Sequence, residues 1–170
     1  KRMLDVQSQA YRQQYGCNFI TAVPNNLFGE NDNYDLENSH VIPAIMRKMY
    51  EAQQQRKSVA LWGDGSPLRE FTYSADLVQA LLLLLEGYND PDPINIGNTM
   101  EISIKRVAEK IGFEGEIEWQ AHMPAGQYRK PSDNSKFQRE FKMEYTDFDV
   151  ALTNTCKWFI MNCPNLRGVR

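Results

Sequence analysis

"NFITAVPNNLFGENDNYDLENSHVIPAIMRK", residues 18–48, is the stretch whose reading decides the fold. Its first six residues, 18–23, form a short run containing β-branched and aromatic side chains, which reads as a buried strand. Pro24 ends the run, and a polar, turn-rich loop continues to Ser39. Ile42, Ile45, Met46 and Met49 then recur at i, i+3, i+4 and i+7, the apolar stripe of a helix. Upstream, "KRMLDVQSQAYRQQYG" (1–16) reads as a helix carrying Met3, Leu4, Ala10, Tyr11 and Tyr15 near one stripe, with Gly16 as its stop. Helix, strand, long polar loop and helix is the alternation of an α/β protein, in which ligands are expected beyond the carboxyl end of the strand.

The rest of the chain continues the pattern. "SVALW" (58–62) predicts a strand and "GDGSP" (63–67) a turn, with Arg69 on the strand that returns from it. "TYSADLVQALLLLLEG" (72–87) predicts a helix buried on most sides, and "PINIG" (93–97) a short buried strand. "SIKRVAEKIG" (103–112) predicts a helix capped by Ser103 and stopped by Gly112. "EGEIEW" alternates like a strand, "MPAGQYRKPSDNSK" (123–136) reads as an irregular polar loop, and "DFDVALTNTCKWFIMN" (147–162) as a closing helix. No repeat or low-complexity segment interrupts this order. No GxGxxG fingerprint is present either, so the chain alone has no usual pyrophosphate loop for a dinucleotide.

Composition excludes several classes. With 170 residues there is room for one ordinary core, and a net charge of −3 gives no electrostatic reason to expect nucleic acid or a membrane surface. The longest apolar run, Ala80 to Leu85, is too short to span a bilayer. Cys17, Cys156 and Cys163 are scattered and odd in number, which favours reduced thiols in a cytoplasmic protein over a disulfide or metal framework. No signal peptide is visible, and a lysine rather than a methionine at position 1 suggests a piece of a longer protein.

His40 is one of only two histidines. Pro43 is tolerated only in the first turn of a helix, so helical bonding begins near residues 38–42 with Asn38 or Ser39 available as cap. His40 then projects away from the Ile42/Ile45/Met49 stripe and is not a core residue. The positive end of the helix dipole disfavours the imidazolium, leaving a ring able to exchange a proton. On this reasoning His40 is either a solvated or capping residue or an acid/base group. Lys1 and Lys48 read equally as exposed lysines, although Lys48 flanks the stripe where a long cation reaches a cleft rim. Trp62, beside the glycine-rich turn, offers a stacking face, and Arg69 a planar fork for phosphate. Together they point to a nucleotide.

In order, "KRMLDVQ…QQYG", "VPNNLFGENDNY", "NSHVIPAIMRK", "WGDGSPLREF" and "INIG" resemble the GDP-L-fucose synthases, extended short-chain dehydrogenase/reductases. "REF" and "INIG" are shared among extended reductases, whereas "NSHVIPA" followed by "WGxGxPxREF" is far more specific. The resemblance runs from Lys1 to about Phe159. It implies 3,5-epimerisation and NADPH-dependent 4-keto reduction of a GDP-sugar by a homodimer. It implies the C-terminal elements of a doubly wound NADP-binding Rossmann fold (about 1–35 and 70–100) interleaved with a small α/β substrate domain (about 36–69 and 101–170). The N-terminal Rossmann half, with the family's tyrosine, serine and catalytic cysteine, would then lie before residue 1.

By the same resemblance Lys1 is the lysine of the Tyr-x-x-x-Lys pair, and Pro24, Asn25, Asn26 and Leu27 contact the nicotinamide portion of NADP. His40 is the acid/base histidine beside the cofactor, and Lys48, Trp62 and Arg69 hold the GDP-sugar. Cys17 does not match the catalytic cysteine. Ala125 stands where the family has a substrate-contacting aspartate, with Asp133 a nearby substitute. Two other readings are a 4-epimerase or 4,6-dehydratase of the same superfamily, and a non-catalytic nucleotide-sugar-binding module.

Overall fold

The computed structural model describes residues 2–169. The chain runs α1 (Arg2–Tyr15), β1 (Ala22–Pro24), β2 (Asn26–Phe28), α2 (Val41–Gln55), β3 (Val59–Trp62), β4 (Leu68–Tyr73) and α3 (Ser74–Gly87). It continues as β5 (Ile94–Ile96), β6 (Glu101–Ser103), α4 (Ile104–Ile111), β7 (Ile117–Gln120), α5 (Ser135–Phe141) and α6 (Phe148–Asn162). The strands form three small sheets. β1 pairs parallel with β5, and β3 parallel with β7, while β4 lies between β2, parallel, and β6, antiparallel.

The amphipathic helices follow their patterns. Ile42, Ile45, Met46 and Met49 of α2 are all buried, each contributing about 1.5–3 kcal/mol through the apolar area removed from water. They join two cores, one reaching Phe71, Phe148 and Phe159, the other Val59, Leu61 and Ala108. A third cluster joins Ala80 and Leu84 of α3 to Ile94 and Ile96 of β5 and Phe137 of α5. As expected, Ser103 caps α4 by accepting the Arg106 N–H, and Gly112 ends that helix in the left-handed region.

Several expectations are corrected. The strand expected over residues 18–23 is shorter and later, Ala22–Pro24, although Thr21 O still accepts the Ile94 N–H and Asn25 N donates to Ile96 O. The loop after it contains β2, whose three residues are too few to show an alternation. β4 does not return against β3; the turn at 63–67 instead carries the chain from one sheet into another. Gly65, at φ 75°, makes that transfer possible, because a Cβ there would fall 2.7 Å from the Trp119 ring. α5 and β6 have no counterpart in the sequence pattern, and α5 is held by Phe137, which is fully buried in the cluster with Leu84, Ile94 and Ile96.

The N-cap of α2 is His40 itself, not Asn38 or Ser39. Asp35 claims those residues for a turn: its carboxylate accepts the N–H groups of Glu37 and Asn38, and its carbonyl accepts Ser39 N. The helix can therefore start only at Val41. α3 is not buried on most sides either. Only Asp76, Ala80 and Leu84 are covered, while Leu82 and Leu85 are 54% and 76% exposed. α1 has no buried residue, and its Met3, Leu4 and Tyr15 face outward. No element among the described residues covers these two apolar faces.

Candidate active site

His40 stands beside a cleft that its neighbours Ser39 and Val41 line. It is exposed and extended (φ −72°, ψ 169°), and its side chain makes no capping hydrogen bond, so the imidazole is fixed only through its backbone. The preceding residues Leu36, Glu37 and Ser39 form one wall of an open cavity of about 240 Å³. Leu61 and Trp119 line it from β3 and β7, and Lys48 and Trp62 complete the rim.

Lys48 lies two turns after His40 on α2, about 12 Å further along the helix. Its ammonium sits 5.7 Å from the centroid of the Trp62 ring, a cation–π arrangement. Trp62 ends β3 just before the glycine turn and is 57% exposed, leaving ring surface free for a flat ligand. Cation, open aromatic face and histidine loop therefore meet on one rim.

Arg69 is placed differently. It does not line this cleft but sits half-buried on β4 under residues 124–130, with Nη1 donating to Leu68 O at 2.7 Å. A Cβ on Gly126 would fall 3.3 Å from its Nη2. Ala125 packs against the turn, since a Cβ on Gly63 would lie 2.9 Å from the Ala125 Cβ. The position expected to carry an aspartate is thus exposed, against the Gly63 turn. Asp133 is turned elsewhere: its carboxylate accepts the Ser135 N–H at the start of α5, a bond that lowers its pKa. Arg129, in the same polar loop, is occupied by a forked pair with Glu101, which pulls the Glu101 carboxyl down.

Pro24, Asn25, Asn26 and Leu27 lie where β1 passes into β2, at the carboxyl end of the parallel β1–β5 pair. Both asparagine amides are engaged internally. Asn25 donates to Asn98 O at 2.8 Å and to Glu70 Oε2, and accepts from Thr72 Oγ1; Asn26 donates to Glu70 O. They shape the loop, which leaves its backbone and the exposed Pro24 to face a ligand. Asn26 pairs with Phe71, two residues from Arg69, so β4 links this loop to the arginine directly. Lys1 lies outside the described residues.

Sequence reasoning missed the group beneath these loops. Glu70 is only 2% exposed and accepts the Ser132 N–H at 3.0 Å, the Ser132 hydroxyl and the Asn25 amide. Its signal was present, as an acid in an otherwise buried strand "REFTY". Nearby phenols are poor proton donors: burial and the bond to Glu30 push Tyr73 up to about 12, and burial raises Tyr145. The three cysteines are unpaired, and burial pushes the Cys156 thiol up to about 11, away from thiolate reactivity.

Residues 1–97 match the NAD dependent epimerase/dehydratase family. The chain is 40% identical over 159 residues to the probable GDP-L-fucose synthase 1 of Oryza sativa subsp. japonica, covering 91% of this chain and 48% of that protein. It is also 40% identical to GDP-L-fucose synthase 1 of Arabidopsis thaliana, over 92% of this chain and 50% of that one. The crystal structure of an NADP-bound GDP-L-fucose synthetase from Naegleria fowleri superposes with a TM-score of 0.94 at 36% identity, across 98% of this chain and 54% of its own. The chain spans about half the length of the curated relatives it matches. By its sequence and its fold, the chain belongs to the NAD dependent epimerase/dehydratase family.

Proposed function

We propose that this chain is the substrate-binding and second Rossmann part of a GDP-L-fucose synthase, which converts GDP-4-keto-6-deoxy-D-mannose by 3,5-epimerisation and 4-keto reduction. The observation that carries the reading is the exposed, unbonded His40 at the entrance to α2, at the end of a loop that shares a cavity with Lys48 and Trp62. The similarity to proteins named as GDP-L-fucose synthases supplies the substrate.

The residues present fit part of an NADP site. The Pro24–Leu27 backbone sits at the carboxyl end of a parallel strand pair, where dinucleotides bind in open α/β sheets, and its asparagines are already fixed by bonds to Thr72, Glu70 and Asn98. Bound NADPH would supply the hydride for the C4 carbonyl. Proton exchange and substrate binding fall to this chain's own residues. The C4 carbonyl acidifies the protons at C3 and C5, and His40 exchanges a proton at these carbons as base or acid. Trp62 stacks on the base or sugar, while Lys48 and Arg69 neutralise the diphosphate. Lys1, beside the cofactor ribose, would complete the family's proton-donor pair.

The Rossmann elements are assigned to about 1–35 and 70–100, and the substrate domain to about 36–69 and 101–170. The uncovered faces of α1 and α3 support this division, because a sheet and helices from the other Rossmann half would cover α3. The apolar face of α1 supports a homodimer, and the unpaired cysteines suit the cytoplasm.

The test is His40→Gln in the full-length protein. Incorporation of solvent deuterium at C3 and C5 should fall by about 10²-fold or more. Unchanged turnover would reject the reading and favour another extended reductase. The 170-residue chain by itself should be inactive, and turnover or submicromolar NADPH binding by it would refute the division of labour.

A further inference from the structure

The imidazole of His40 has no side-chain partner holding it, yet the loop that presents it is tied down at one end. Tyr34 is fully buried, its ring packed on Phe159 at 4.8 Å. Both of its backbone groups are taken: Tyr34 N donates to Arg167 O at 2.9 Å, and Tyr34 O accepts from Arg47 Nη1 at 2.8 Å. The same Arg47 nitrogen donates to Gly168 O at 2.8 Å, while Nε pairs with Glu51 at 2.7 Å. Gly168, at φ 83°, lies so close to the loop that a Cβ on it would collide with Asn33 Oδ1 and fall 2.5 Å from Asp35 N. Asp35 in turn closes the turn through Glu37, Asn38 and Ser39 that ends on His40.

We infer that Arg47 and Gly168 are positioning residues for His40. Residues 166–169 act as a brace that sets the register of the 33–39 loop, and Arg47 locks brace to loop through two carbonyls. Each link ends on a backbone group of the brace or the loop, so a displacement at Gly168 is passed along to the Cα of His40. Neither residue belongs to the cleft, and neither touches the Pro24–Leu27 loop. A guanidinium is required because one group must meet two carbonyls and a carboxylate in a fixed plane; a lysine ammonium cannot.

The inference rests on the acid/base role proposed for His40, and the experiment separates the two. In the full-length protein, Gly168→Ala and Arg47→Lys are compared with wild type and His40→Gln, using GDP-4-keto-6-deoxy-D-mannose in deuterated water. The expected result is a tenfold or greater loss of deuterium incorporation at C3 and C5 in both brace variants. NADPH affinity should stay within twofold of wild type, and Gly168→Ala should cause no further loss of residual turnover when added to His40→Gln. Wild-type exchange in the folded brace variants would overturn the inference. So would an equal fall in exchange and NADPH affinity, or the same fold loss with and without His40. If Gly168→Ala does not fold, Arg47→Lys decides by the same criteria. Unchanged exchange in His40→Gln would instead remove the role on which the inference stands.

Discussion

Trp62 and Glu70 lie eight positions apart and make opposite demands on the molecule. Trp62 holds its ring out beside Lys48, so its removal should hurt binding rather than folding. On the proposed function, Trp62→Ala in the full-length protein should raise KM for the GDP-sugar about tenfold, about 1.4 kcal/mol of lost stacking and cation–π contact, with kcat changed less. Steady-state kinetics checks this. Glu70 is buried with three protein donors converging on its carboxylate, so Glu70→Ala would leave those donors without an acceptor. The expected loss is about 2–4 kcal/mol, read from the midpoint of urea unfolding. The sequence made Trp62 a candidate because a ring beside the glycine-rich turn offers a flat stacking face. For Glu70 it showed only an acid in an apolar strand and hid what that acid holds, because the partners Asn25 and Ser132 are 45 and 62 residues away.

Helix ends make the next set of expectations. Arg56 closes α2 in the left-handed region at φ 53°, a conformation that costs a side-chain-bearing residue about 1 kcal/mol relative to glycine. Arg56→Gly should therefore stabilise the full-length protein, raising its thermal midpoint, whereas Ser103→Ala should cost about 1 kcal/mol through loss of the α4 cap. The turn before α2 is sensitive to acid. Hydrogen bonds from Asn38 and Glu37 lower the pKa of Asp35, so its contribution is complete above about pH 4 and disappears as pH falls through the depressed folded value. The difference in thermal midpoint between wild type and Asp35→Asn should accordingly shrink from pH 7 to pH 3. Long amphipathic helices such as α2 and α4 are legible because many residues repeat one signal. Strands of three residues, β2 and β6, carry almost none, and their pairing is decided by β4. The cap of α2 is decided by a competing local preference: Asp35 takes the N–H groups of Glu37, Asn38 and Ser39 in a turn that the apolar stripe of α2 does not report.

At the scale of the molecule, the alternation of helices and strands is readable, but the degree of burial is not. "LVQALLLLLEG" carries enough leucine for a helix covered all round, yet Leu82 and Leu85 stand open. Hydrophobicity reports that a face seeks cover, not which segment provides it. Expressed alone, the 170-residue chain should self-associate through α1 and α3, detectable by light scattering and by binding of an apolar dye. Supplying the rest of the protein should abolish dye binding and the association through α3, leaving the dimer proposed through α1. The bonds around Glu70 have a kinetic consequence as well. Ser132 N, Asn98 N and the Asn25 amide are fastened to one another through Glu70 and Thr72, tying three distant stretches of chain at a single knot. The stretches that carry Asn25, Asn98 and Ser132 cannot drift apart by gradual fraying there. They separate in one step, and the amides of Asn98 and Ser132 should exchange their hydrogens at a common rate that times that step.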